Sequence, residues 1–171
     1  MREQGFTLVE ILAAVTILGI ISTLAVAGYT RYIDYSKNKA YDAMAKSVSV
    51  AAEEYIMTNP SAAIDAIEET SEDGTIKYLI NEEETEKISI KDLIEEGYLN
   101  DASDPDNKGT NCKGNVSIGL VSFEEKGSLD HYIYTVDICC TNHKQRTMYT
   151  LKNKDNKLTS VEEKESIDTC E

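Results

Sequence analysis

GFTLVEILAAVTILGIISTL (residues 5–24) is the stretch that decides how this chain is organised. From Ile11 to Gly28 there are eighteen consecutive residues without a charged side chain. A helix of that length rises about 27 Å, which is close to the ~30 Å hydrocarbon thickness of a bilayer. The stretch therefore predicts a membrane-spanning helix, with the carboxylate of Glu10 placed at its start.

The position of the small residue argues against an ordinary secretory signal. Such a signal has a small-residue cleavage site after its apolar core. Here Gly5 precedes the apolar run, and no A-x-A-like site follows it cleanly. This order predicts a cut before the hydrophobic segment, which then stays in the mature protein.

The hexapeptide GFTLVE (residues 5–10) strongly resembles the class III signal of type IV pilins and pseudopilins. The resemblance implies that a membrane-embedded prepilin peptidase cuts after Gly5. It also implies that the same enzyme N-methylates Phe6, the new terminus, and that Glu10 becomes the fifth mature residue. The resemblance covers roughly the first thirty residues of the chain.

Glu10 is expensive to place in hydrocarbon, because an unpaired carboxylate costs at least ~2.5–3.5 kcal/mol near a helix centre. A natural partner is the cationic amine that cleavage creates at Phe6. The resemblance implies that this amine, on an incoming subunit, meets Glu10 of its neighbour during assembly. The alternative is a hydrated acid at the membrane interface, favoured there by the helix dipole.

The charges that flank the apolar run argue against export of the C-terminal part of the chain across the membrane. Arg31, Lys37, Lys39 and Lys46 follow the run, so a positive-inside count places the C-terminal part in the cytoplasm. We prefer the export predicted from GFTLVE, because that motif is more specific and long domains often translocate despite such charges.

The chain also departs from the pilin pattern within the helix, since Ala27 stands where many Gram-negative pilins have a proline.

The pattern predicts an α+β fold, with a long N-terminal helix packed against a small antiparallel sheet, as in pilins. Ser89 and Gly97 are the expected cap and end of a short second helix. Alternating residues in VSIGLVSF, HYIYTVDICC and RTMYTLK predict three strands. The expected segments are a leader at 1–5, a transmembrane half-helix at 6–28, an amphipathic half-helix at 29–58, a connecting segment with the short helix at 59–115, and the sheet with a disulfide-tied tail at 116–171. Within the connecting segment, residues 60–87 are expected to be exposed.

Four cysteines lie beyond the apolar run. None of them forms a CxxC pair, so the sequence gives little support for a zinc site. An even number in an exported domain predicts two disulfides, whereas four reduced thiols would require a cytosolic domain. Cys139 and Cys140 point to opposite faces of one strand, so each needs a separate partner. Cys112 and Cys170 are available, and either pairing remains open.

The other polar residues give little sign of catalysis or of metal binding. Asp101, Asp104 and Asp106 share one turn-rich loop, but their spacing fails the EF-hand pattern. We expect solvated turn acids there, with calcium as the less favoured alternative. His131 and His143 lie outside any catalytic motif, and we expect both to be exposed residues of a turn or strand.

The sequence thus predicts a structural subunit, and no enzyme, that self-assembles into a type IV pilus or a similar filament. The alternatives are a pseudopilin of a type II secretion or DNA-uptake system, and a monomeric binding domain tethered to the membrane. The expected partners are related pilin subunits, the membrane, prepilin peptidase and the assembly machinery. The location changes from single-pass membrane precursor to surface filament. A net charge of −14 argues against nucleic acid as a partner.

Overall fold

A computed structural model describes residues 7–122, 131–155 and 157–169 of the chain, without the side chains of residues 24, 25 and 27. The chain consists of two compact units, Met1–Ala40 and Tyr41–Glu171. The predicted cleavage site at Gly5 and Phe6 lies outside the described residues, and so does Cys170.

The first helix, α1, runs over Leu8–Thr58, as the sequence predicts. Among the described residues it is the one helix long and apolar enough to cross a membrane. Its most apolar eighteen-residue window has a mean hydropathy of 2.3, and none of that window is buried. The first unit therefore presents an apolar helix surface that is fully exposed in the isolated chain.

The part of α1 in the second unit is amphipathic. Its buried residues recur at helical spacing and face the core of that unit, whereas Lys46, Ser47 and Val50 are exposed. Apart from Tyr41, the buried apolar positions carry small or medium-sized side chains. The buried apolar residues of this part of α1 are Tyr41, Ala45, Val48, Ala51, Ala52 and Ile56.

Within its described residues, the second unit continues with a mixed sheet of eight strands and one short α-helix. Along the sheet the strand order is β1-β5-β6-β7-β3-β2, while β4 pairs with β5 and β8 pairs with β7. All pairs are antiparallel except β1 with β5. The bounds are β1 Ile64–Asp65, β2 Ile67–Thr70, β3 Ile76–Leu79, β4 Ile88–Ser89, α2 Ile90–Glu95, β5 Lys113–Val121, β6 His131–Cys139, β7 Lys144–Lys154 and β8 Lys157–Ser166.

Both faces of the sheet are covered near its centre. Val136 and Ile138 of β6 join the cluster that contains the buried face of α1. Ile133 lies on the opposite face, in a smaller cluster with Tyr78 and Leu151. The alternation in HYIYTVDICC places Val136 and Ile138 on one face of the strand, but it gives no sign of the second cluster. The prediction of an α+β fold with a long helix on a sheet is confirmed.

Helix α2 forms where its capping residues predict. The Ser89 hydroxyl accepts a hydrogen bond from the Asp92 amide at 3.0 Å. Gly97 follows the last turn with a φ of 86°, and the amides of Tyr98 and Leu99 both donate to the Leu93 carbonyl. This glycine lets the chain leave the helix in the left-handed conformation.

Two elements differ from the exposed connector and the tail that the sequence predicts. Residues 60–87 contain β2 and β3, which form a hairpin around Ser71–Thr75 and join β7 through β3. The tail contains β8, which pairs with β7 along its whole length. Both elements lack a clear apolar alternation, because β2 is fully exposed and β8 is mostly so.

Candidate assembly site at the helix N-terminus

The first turn of α1 is closed by a reciprocal capping box. The Thr7 hydroxyl lies 3.3 Å from the Glu10 amide, which donates to it. In return, Glu10 Oε2 accepts hydrogen bonds from the Thr7 amide at 3.0 Å and the Thr7 hydroxyl at 2.9 Å. This arrangement satisfies amides that a helix start otherwise leaves without acceptors.

Glu10 therefore has a role within the isolated chain as well as the assembly role expected from the resemblance. The signal was present in the sequence, since Thr7-Leu-Val-Glu10 has the T-x-x-E spacing of a capping box. Both hydrogen bonds from Thr7 reach the same oxygen, Oε2. No ion pair joins Glu10 to another residue within the described part of the chain.

The surface that follows this cap is apolar on all sides. Leu8 has an exposed fraction of 84%, and large apolar side chains remain more than half exposed as far as Val26. Soluble monomers rarely expose a continuous apolar surface of this extent. The exposed members are Leu8, Val9, Ile11, Leu12, Val15, Ile17, Leu18, Ile20, Ile21 and Val26.

A disulfide joins Cys112, just before β5, to Cys140, just after β6. The two strands are antiparallel partners, and Lys113 pairs with Cys139, so the hairpin brings the two cysteines side by side. Cys139 is also disulfide-bonded. Since Cys170 lies outside the described residues, its pairing with Cys139 stays a prediction.

The acids of the 101–106 loop hold the backbone of that loop. Asp104 is buried and accepts from the Thr141 amide at 2.8 Å, the Thr141 hydroxyl at 2.6 Å and the Asp106 amide at 2.8 Å. Burial alone would raise the pKa of Asp104, but these hydrogen bonds outweigh it and the pKa is lowered. Asp101 accepts from the Ser103 amide.

Asp104 is more buried than a solvated turn acid, so the expectation for it was wrong. Its carboxylate lies close to the sulfurs of Cys112 and Cys140. Those sulfurs are bonded to each other and offer no thiolate to a metal. Among the described residues, Asp104 therefore lies near the two cysteines because it anchors the loop beside their disulfide.

His143 differs from the exposed residue that the sequence predicts. Its ring stacks on that of Tyr41 with centroids 3.9 Å apart and an angle of 4° between the planes. Its Nε2 lies 2.9 Å from Gln145 Oε1, and the Tyr41 hydroxyl donates to Asp106 at 2.8 Å. His143 thus packs between the start of β7 and α1, in a structural contact, while His131 is exposed.

A charged network on the sheet was also missed. Arg146 donates to both oxygens of Asp137, from Nε at 2.7 Å and Nη2 at 2.8 Å. Its Nη1 lies 2.9 Å from Glu82, and Nε lies 3.8 Å from Glu165. The hydrogen bonds to Asp137 raise the pKa of the Arg146 guanidinium. The network ties β6 and β7 to β8 and to the turn after β3, and such long-range pairs have no local sequence signal.

The comparison with known proteins concerns the segment that contains the capping box. A family profile described as the prokaryotic N-terminal methylation motif matches residues 1–26. No curated protein and no solved structure matches the chain significantly. The matched residues include GFTLVE and most of the exposed apolar run, and they fit a membrane-anchored precursor. The N-terminal segment of this chain is a prokaryotic N-terminal methylation motif, the signature of type IV pilins and pseudopilins.

Proposed function

We propose that the chain is a structural subunit that self-assembles into a type IV pilus or a pilus-like filament at the cell surface. The observation that carries the proposal is the exposed apolar surface of α1, next to a motif of type IV pilins and pseudopilins. In the precursor, lipid covers this surface, and in the filament the helices of neighbouring subunits replace the lipid. The prepilin peptidase first removes residues 1–5 and methylates Phe6.

The capping box suggests how Glu10 serves both states. Thr7 occupies only Oε2 of the carboxylate, and no other described residue donates to Oε1. Oε2 can therefore continue to cap α1 while Oε1 receives the Phe6 amine of an incoming subunit. Two partners on one carboxylate reduce the cost of keeping its charge in an apolar surrounding.

The second unit suits exposure outside the cell. Its disulfide is stable in an oxidising compartment, and the sheet carries polar and acidic residues on exposed strands such as β2 and β8. A pseudopilin of a secretion or DNA-uptake system would share the helix and its processing. We favour the surface filament because a large disulfide-bonded domain suits lasting external exposure.

Mass spectrometry of the protein purified from its host tests the processing step. We expect a mature terminus at N-methylated Phe6, and isolation of sheared surface filaments should recover that same species. A chain that begins at Met1, or near residue 28, would refute the proposal in favour of a tethered domain or a secreted protein. Replacing Gly5 with a bulky residue should block the cut, because the peptidase site needs a small residue there.

A further inference from the structure

A one-sided group of aromatic and basic residues follows the apolar run on α1. It consists of Tyr29, Arg31, Tyr32, Tyr35 and Lys39, and we name it the tyrosine–basic stripe. The three tyrosines have exposed fractions of 65%, 67% and 62%, and both basic side chains are also exposed. Lys39 Nζ lies 5.7 Å from the centre of the Tyr35 ring, so the cation and the aromatic face are adjacent.

Helical geometry places these five side chains on one side of α1. At 100° per residue they fall within an arc of about 160°. Asp34 is also exposed, but it lies about 60° outside this arc, toward the half-buried Ile33 and Lys37. The arc itself thus carries two cations and no acid, which gives it a positive, aromatic character.

The stripe begins directly after Gly28, the last residue of the uncharged run. It extends about 15 Å along the helix axis, whereas each polar layer of a bilayer is only about 5–7 Å thick. An upright helix would hold only its first residues at headgroup depth. A helix tilted toward the stripe would bring more of its length to the headgroups, and membrane helices are tilted by ~20° on average.

The chemistry of the stripe matches an anionic lipid surface. Tyrosines are enriched at the membrane–water interface, and arginine and lysine attract anionic headgroups there. Four basic and three acidic side chains precede Tyr41, whereas the whole chain has a net charge of −14. An anionic bilayer would therefore attract the stripe and repel most of the remaining chain.

We propose that the tyrosine–basic stripe binds the headgroups of anionic phospholipids of the phosphatidylglycerol type and so sets the depth and tilt of α1 in the precursor. The proposal rests on the membrane-anchored precursor of the proposed function, and filament assembly is not required for it. It also gives a role to basic residues that a positive-inside count assigns to the cytoplasmic side. Binding by the stripe would hold them at the face where the second unit emerges.

The chain contains no tryptophan, so one substitution supplies a unique fluorescent probe. The full chain carrying Tyr35→Trp is reconstituted in vesicles of phosphatidylcholine with about one quarter phosphatidylglycerol. Bromine is placed on either one lipid or the other, and the overall composition is the same. We expect brominated phosphatidylglycerol to quench the tryptophan fluorescence roughly twofold or more above its share of the lipid, and high salt to remove the excess.

Charge variants test whether the stripe causes the preference. Adding Arg31→Gln and Lys39→Gln should reduce quenching to the share expected from lipid composition. The matched control, Lys108→Gln with Lys157→Gln, removes two exposed lysines of the second unit and should retain the preference. Two results would overturn the proposal. One is quenching of the Tyr35→Trp chain in simple proportion to the lipid composition, and the other is an unchanged lipid preference after Arg31→Gln and Lys39→Gln are added.

A probe within the apolar run separates this inference from the proposed function. Ile17→Trp should be quenched strongly by bromine on the acyl chains of either lipid, because Ile17 lies inside the predicted span. Quenching in this variant without a lipid preference in the Tyr35→Trp variant refutes only the stripe, and leaves that surface to a neighbouring subunit. Absence of quenching in both variants overturns the membrane anchor and the stripe together.

Discussion

Asp104 accepts hydrogen bonds from both the amide and the hydroxyl of Thr141, thirty-seven residues later in the chain. The contact fastens the loop before β5 to the turn between β6 and β7, beside the Cys112–Cys140 disulfide. A buried carboxylate that accepts several such bonds is stabilised as the ion. The loop before β5 is thus held by the ionised carboxylate of Asp104 and by the Cys112–Cys140 disulfide.

The lowered pKa of Asp104 predicts an acid-sensitive contribution to stability. A carboxyl whose folded pKa is lowered stabilises the fold above its unfolded value, which is about 3.9, and loses that effect as the pH falls through the folded value. Thr141→Ala should therefore cost about 1–3 kcal/mol at neutral pH, and less as the pH falls through the folded pKa of Asp104. Chemical unfolding of the full chain in detergent at several pH values measures both.

Asp104→Asn should remove this pH dependence, since the amide cannot titrate. Ser103→Ala, in the same loop, is the control because its exposed side chain makes no described contact with Thr141. If Thr141→Ala is equally costly at neutral and acidic pH, then the ionised state of Asp104 is not what holds the loop.

Arg146 should be intolerant even of lysine. A lysine keeps the charge but loses the two parallel hydrogen bonds to Asp137, and leaves Glu82 and Glu165 less well compensated. We expect Arg146→Lys to lower the free energy of unfolding by about 1–3 kcal/mol, and Arg146→Met by more. Lys91→Met is the control, because its ion pair with Glu95 is exposed and should contribute under ~1 kcal/mol.

Gly114 should not accept any side chain. Its φ is 148°, and an added Cβ would lie 1.8 Å from the Asp137 carbonyl oxygen across the β5–β6 pair. That oxygen belongs to the backbone, so the strands must separate locally, which should cost more than Gly119→Ala. At Gly119 the nearest atoms are side-chain carbons of Ile133 and Ile80 at 2.9 Å, and these can shift. Thermal unfolding of both variants ranks their losses of stability. A smaller loss for Gly114→Ala than for Gly119→Ala would contradict the prediction.

The disulfide prediction has a part that the structure describes and a part that it leaves open. Non-reducing peptide mapping should recover Cys112 with Cys140 and Cys139 with Cys170. Replacing Cys112 and Cys140 with serine should cost roughly 3–4 kcal/mol for a sequence separation of 28 residues. Recovery of Cys170 as a free thiol would refute the second pairing.

The elements that the sequence predicts well are those whose signals are local. The long apolar and amphipathic helix, the Ser89 cap and the Gly97 stop each depend on residues within a few positions of one another. Strands β5, β6 and β7 are rich in β-branched and aromatic residues, which indicates strands even where buried residues follow one another without alternation, as in β5 and β6. Their signal survives without knowledge of the neighbouring strands.

The missed elements depend on distant partners. Strand β2 is fully exposed, and its pairing depends on a turn in which Gly74 has a φ of 77° and Asp73 accepts from Thr75. The Asp73-Gly74 dipeptide was a usable turn signal. Strand β8 has a weaker local sequence signal, because its position is fixed by its register on β7 and by ion pairs such as those of Glu163 with Lys77 and Lys152.

At the candidate site, the missed signal was local. Threonine three residues before Glu10 is enough to predict a capping box. Thr7 and Glu10 variants can separate helix capping from the proposed assembly role of Glu10. Thr7→Val removes the hydroxyl that caps the helix and leaves the charge in place.

We expect Glu10→Ala to insert and to be processed normally, yet to be depleted in filaments. Alanine removes the cost of a charge in the membrane, but it also removes the partner proposed for the Phe6 amine. Glu10→Gln keeps an acceptor for Thr7 and loses the ion, so it should assemble as poorly as alanine if charge pairing dominates. Thr7→Val should weaken the first turn by about 0.5–2 kcal/mol while assembly is largely retained. The measurement is the ratio of variant to wild type in sheared filaments and in the membrane pool after co-expression. Equal incorporation of the parent and both Glu10 variants would mean that Glu10 only caps the helix, and would favour a tethered monomeric domain over a filament subunit.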